Sequence, residues 1–140
     1  MDRDQRDLTE EEVMRRLHND ADRLVDHFKL PLMQLAKEGN RVKRRYGSCD
    51  SDGVIRIRLL NQRTGKLLKY SSMISTLCHE LAHLRYMNHG ARFVALYTRI
   101  LEFARADGIY RPKTVPPRGK TSIAGISEGT NLEPAARLRK

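Results

Sequence analysis

The stretch His79-Glu80-Leu81-Ala82-His83, with His89 shortly after, constrains this chain more than any other. On an α-helix, residues four apart stand on one face, one above the other. Two imidazoles at that spacing can bind one zinc ion from that face. Glu80 is turned about 100° from His79, given 3.6 residues per turn. Its carboxylate then lies beside the ion, within reach of a water proton. His89 adds a third nitrogen if the chain turns back after His83, and Asn88-His89-Gly90 is a turn signal at the required place. Three protein ligands leave a fourth position for water, the arrangement of catalytic zinc sites. A zinc that only stabilises the fold would leave Glu80 without a role and wants a fourth ligand that the sequence does not show.

The elements that must carry this motif can be read from local patterns. Thr9, with Glu12 three residues later, is a capping box. Val13, Leu17, Ala21, Leu24, Val25 and Phe28 follow at helical spacing. They predict an amphipathic helix from about Thr9 to Phe28, closed by Pro31. Leu30 to Lys37 reads equally as a short strand or a helical turn. Arg41 to Cys49 and Val54 to Leu60 read as two strands joined by Asp50-Ser51-Asp52-Gly53. In the second, Ile55, Ile57 and Leu59 alternate with Val54, Arg56 and Arg58, giving an apolar and a basic face. Such a strand at the sheet edge could pair with a substrate backbone. The metal helix runs from about Lys69 to Tyr86, and a packing helix from Gly90 to about Asp107. Cys78 points away from the ligand face, into the core.

Charge is unevenly spread. The net charge is +10, yet residues 41–69 carry 9 basic and 2 acidic side chains, and residues 111–140 carry 7 and 2. Both clusters suit DNA or another polyanion. From Pro112 onward proline and glycine interrupt every period. The expected organisation is therefore one domain over 1–110 and a flexible basic tail over 111–140. Cys49 and Cys78 form no C-x-x-C pair and read as reduced thiols of an intracellular protein. No apolar run could span a membrane, and no secretory signal is visible. The expected location is the cytoplasm, or the nucleus in a eukaryote.

Four motifs together resemble a known family. Arg45-Tyr46-Gly47-Ser48-Cys49, Gly53-Val54-Ile55-Arg56-Ile57, His79-Glu80-Leu81-Ala82-His83-Leu84 and Asn88-His89-Gly90-Ala91-Arg92-Phe93 resemble the YgjP-like metallopeptidases. The related SprT-like and yeast crosslink-protease families are also similar. The match spans about residues 41–103. Tyr46 stands where the YgjP-like pattern usually has Trp, and no cysteine-rich zinc ribbon follows. The resemblance implies an α+β, minimal zincin-like domain: an N-terminal helix, a small, mostly antiparallel sheet, the metal helix and a C-terminal packing helix. It implies His79, His83 and His89 as ligands of Zn2+ and Glu80 as catalytic acid/base. The expected activity is zinc-dependent peptide hydrolysis, with a protein or peptide substrate that could be attached to DNA.

Two other functions remain at this stage. One is a nucleic-acid-binding module with a structural or vestigial zinc. The other is an amidase or related hydrolase, because the motif fixes water attack better than it fixes the substrate. Tyr70, Tyr86, Tyr97 and Arg92 are candidate donors to a developing oxyanion. Asp50, Asp52 and Glu102 are candidate partners for the ligand histidines.

Overall fold

The structure, a computed structural model, describes residues 8–39 and 45–112. The basic segment 40–44 and all of the expected tail beyond Pro112 lie outside the described residues. The elements run α1 (Glu10–Phe28), β1 (Gln34–Lys37), β2 (Gly47–Cys49), β3 (Val54–Ile57), α2 (Tyr70–His83) and α3 (Ala91–Ala106). None of the described helices is long and apolar enough to cross a membrane.

Helix α1 forms as its sequence dictates. The Thr9 hydroxyl accepts from the Glu12 N–H at 3.1 Å, and the Glu12 carboxylate accepts from the Thr9 N–H at 2.8 Å. Val13, Leu17, Ala21 and Leu24 form the buried stripe. The helix ends earlier than Pro31, at Lys29, which adopts left-handed backbone (φ 55°). Two carbonyls at this end find a donor from far along the chain. Arg85 Nη2 donates to Phe28 O at 3.1 Å and to Lys29 O at 2.9 Å. Terminal carbonyls lack intrahelical donors and carry the negative end of the dipole, so a guanidinium suits them on both counts.

The segment left open between strand and helix is strand β1. It pairs in parallel with β3, from Gln34↔Val54 to Lys37↔Ile57. β2 pairs antiparallel on the other side of β3, from Gly47↔Ile57 to Cys49↔Ile55. The α+β class stands, with a mixed sheet in the order β1-β3-β2. The tight turn at Asp50–Gly53 reverses the chain after β2, so β3 runs in the direction of β1. Asp50 Oδ1 holds that turn by accepting from the Asp52 and Val54 N–H groups at 2.9 and 3.1 Å. Gly53 supplies the positive φ, 86°, that a side chain would resist.

This topology corrects the reading of Val54–Leu60 as an edge. β3 is the central strand, and β2 is an edge strand among the described residues. Arg58 is also not a solvated arginine. It is 6% exposed, and its Nε donates to the Arg45 carbonyl at 2.8 Å, fastening the chain ahead of β2 to the end of β3.

Helix α2 lies against β2 and β3 on one side and α3 on the other. Met73, Ile74, Leu77, Cys78, Leu81 and Ala82 are all fully buried, as expected of a helix covered on more than one face. Phe93, Leu96, Ile100 and Ala104 of α3 close the far side.

Because Arg85 joins α1 to the segment after α2, Arg85→Gln should lower stability by about 1–2 kcal/mol through the lost charge-assisted bonds. Arg92→Gln, which breaks no such bond, should cost less than about 0.5 kcal/mol. Urea unfolding of the two variants against the parent checks this.

Candidate metal centre

The three histidines meet. His83 Nε2 lies 3.0 Å from His89 Nε2, which lies 3.4 Å from His79 Nε2. His79 and His83 are half-buried on α2 and His89 is exposed in the following segment. Helix α2 ends at His83, and the Arg85 and Tyr86 N–H groups both turn back to the Ala82 carbonyl, at 3.1 and 3.0 Å. Gly90, in extended backbone, then starts α3. This short connection carries His89 back over the helix it has just left.

Orientation of the rings is also built in. His83 Nδ1 is 3.0 Å from the Tyr86 carbonyl oxygen. A carbonyl can only accept, so Nδ1 carries the proton and Nε2 keeps its lone pair, facing the other two rings. Phe93, 3% exposed, braces the cluster from α3. Its ring centroid lies 4.9, 4.4 and 4.9 Å from those of His79, His83 and His89. Tyr97 stacks on Phe93 at 6.1 Å and lies 5.6 Å from His79. Its hydroxyl pairs with Ser75 Oγ at 3.0 Å.

The donor set fits a metal. Tetrahedral coordination at about 2.0–2.1 Å places ligand nitrogens roughly 3.3 Å apart. The separations of 3.0 and 3.4 Å bracket that value. Among the described residues the cluster consists of these three histidines alone, with no carboxylate or thiol as a fourth donor. Three imidazoles suit zinc and neighbouring transition metals rather than calcium or magnesium.

Glu80 is 7% exposed and occupies the flank of α2 that faces β2. Glycine at position 47 makes this possible. A Cβ there would stand 2.6 Å from Thr76 Cγ2, 3.2 Å from Glu80 Cγ and 3.2 Å from the Arg56 carbonyl. Cys49, two residues on, also senses this carboxylate. Burial first, then the charges of Glu80 and Asp50, push its thiol up to about 12, so it stays protonated at neutral pH.

Sequence profiles place the chain at this point. The profile of the YgjP-like metallopeptidase domain matches residues 3–106. The chain belongs to the YgjP-like metallopeptidase family. Solved structures share its fold. Wss1 from Saccharomyces cerevisiae aligns with a TM-score of 0.63 at 18% identity, over 69% of this chain and 80% of that one. Wss1 from S. pombe aligns with a TM-score of 0.55 at 24% identity, over 68% and 78%. A comparison with curated proteins found no match. Family membership implies a metal and a protein or peptide substrate.

Of the other residues singled out from the sequence, few reach the centre of this family member. The Tyr70 hydroxyl donates to Asp20 Oδ2 at 2.7 Å, on the α1 side. Burial, followed by that hydrogen bond and the Asp20 charge, raises its proton affinity far above that of a free tyrosine. Asp50 is spent on the β2–β3 turn, where Asp52 also sits, and Glu102 is exposed on α3. Arg92 lines a separate cleft. Sequence reasoning missed the Tyr86 carbonyl, because a backbone acceptor has no residue signature. Phe93 entered it only as the end of the Asn88–Phe93 motif; its place four residues after His89, inside a new helix, was the available signal.

Gly47→Ala should cost about 1–3 kcal/mol by overpacking. Adding Thr76→Ser, which removes the nearest methyl, should restore part of that loss. A double-mutant cycle by urea unfolding reads the coupling.

Proposed function

We propose that this YgjP-like protein is a zinc-dependent peptidase in which His79, His83 and His89 hold the ion and Glu80 is the general base. The observation that carries this is the convergence of three Nε2 atoms at 3.0 and 3.4 Å with no fourth protein donor among the described residues. Bound zinc supplies Lewis acidity, lowering the pKa of a coordinated water and polarising a carbonyl. Glu80 takes the proton from the attacking water and returns one to the leaving amine. Its low exposure keeps competing solvent away from the carboxylate, and the buried face of α2 fixes its direction. Of the tyrosines, Tyr97, beside His79 with its hydroxyl paired to Ser75, is our candidate donor to the developing oxyanion.

The substrate backbone pairs with β2. The Arg58 N–H donates to the Tyr46 carbonyl at 2.7 Å and the Asp50 N–H to the Val54 carbonyl at 3.0 Å. With Ser48 opposite Arg56, residues 46, 48 and 50 direct their backbone groups inward, to β3. Gly47 and Cys49 then direct theirs outward, on the strand that flanks Glu80. A peptide added there forms main-chain bonds without a sequence preference. Tyr46, 62% exposed, stands at the mouth of this edge.

The deciding experiment is metal analysis paired with turnover of a casein substrate. The parent should bind one zinc and lose cleavage to a chelator. Glu80→Gln should keep the zinc and lose about 10²–10⁴ in kcat, the range of a general base. Undiminished cleavage by Glu80→Gln removes the mechanism; absence of zinc removes the centre. In the zinc-loaded Glu80→Gln protein, a substrate peptide should shift the amide resonances of residues 46–49 more than those of 34–37. The opposite pattern moves the peptide to the β1 edge.

A further inference from the structure

Among the described residues the buried carboxylates are Glu38 and Glu80, and the proposed mechanism uses only Glu80. Glu38 directly follows β1, where its N–H donates to the Ile57 carbonyl at 2.8 Å. The residue is 5% exposed, and its Oε1 is buried with no hydrogen-bond partner among the described residues. Its Oε2 forms an ion pair with Arg45, whose Nη2 lies 3.5 Å away. A buried carboxylate is costly unless it is paired, so this one binds a guanidinium more firmly than a surface acid would. Arg45 is fastened at its backbone as well. Its carbonyl accepts from Arg58 Nε at 2.8 Å, and the next carbonyl, of Tyr46, accepts from the Arg58 N–H at 2.7 Å.

What these bonds secure is the lead-in to β2. That strand has only 3 residues, Gly47–Cys49, and begins with a glycine, the residue whose backbone is least constrained. Its far end is fixed by the Asp50 turn and by an ion pair of Asp50 with Arg56 at 3.9 Å. Its near end is fixed through Arg45 and Tyr46. So short a template binds an extended peptide well only if it is already in place, because ordering it at the moment of binding costs affinity. We infer that Glu38 is a positioning residue for the substrate. Acting through Arg45, it keeps the outward edge of β2 ready for a peptide backbone and so sets KM rather than kcat. This rests on the peptidase reading, with β2 as the substrate edge. Glu38 itself stands apart from the reaction, because β3 lies between β1 and β2.

The test combines amide hydrogen exchange with steady-state cleavage of a casein-derived peptide by the zinc-loaded full chain. Glu38→Gln keeps the size of the side chain and removes its charge; Arg45→Gln removes the other partner. Each should speed exchange of the Ser48 and Arg58 amides about tenfold and leave that of Asp50, at the far end of β2, unchanged. Each should raise KM about five- to tenfold at constant kcat and zinc content, the mark of lost ground-state binding. The double variant should go no further than the single ones, because both break one tether. Arg45→Lys, which keeps the cation, should return KM to within about twofold of the parent. Exchange or KM equal to the parent's in both Gln variants overturns the inference. A fall in kcat at constant KM also overturns it, since that marks a smaller folded fraction. If Glu38→Gln does not fold, the Gln and Lys variants of half-exposed Arg45 decide the outcome. A parent that cleaves nothing sinks the peptidase reading instead, while the exchange rates, which need no substrate, still report whether Glu38 secures β2.

Discussion

The rotational phase of one buried helix governs this molecule. Helix α2 is gripped by β2 and β3 on one side and by α3 on the other, with six fully buried side chains. It has no freedom to turn about its axis without opening the core on both sides. His79 and His83 therefore face the returning chain, and Glu80 faces the sheet, because the apolar residues between them leave no other setting. The same interlock that stabilises the domain sets the imidazoles and the carboxylate in two directions about 100° apart.

The second layer of control is the short connection between α2 and α3. Its backbone does much of the positioning. The Tyr86 carbonyl sets the tautomer of His83, and Phe93 fills the space behind all three rings. Neither group would take part in the reaction, yet each limits how far the nitrogens can move. Preorganisation of this kind means little rearrangement is needed to receive an ion.

Much of this was legible before any coordinates. The capping box of α1, the helical period of its apolar residues and the His79-Glu80…His83…His89 pattern are local signals, and each maps to one local outcome. What the sequence hid is non-local. Arg58 looked solvated because it continues the alternation of Arg56, but the strand ends at Ile57 and the side chain turns inward to the Arg45 carbonyl. Val54–Leu60 looked like an edge because alternation reports which faces are wet, not which neighbours a strand has. The space demanded at Gly47 was invisible for the same reason: it is set by Thr76 and Glu80, far along the chain.

Arg85 gives α1 a role that no residue of that helix performs directly. Its two bonds to the carbonyls of Phe28 and Lys29 tether the N-terminal helix to the strap that bears His89. The outermost nitrogen of the cluster is thus tied, through the strap, to a helix some sixty residues earlier in the sequence. Fraying of α1 would loosen that nitrogen first and leave the pair on α2 in register, so the amino-terminal third of the domain bears on how closely the three imidazoles meet.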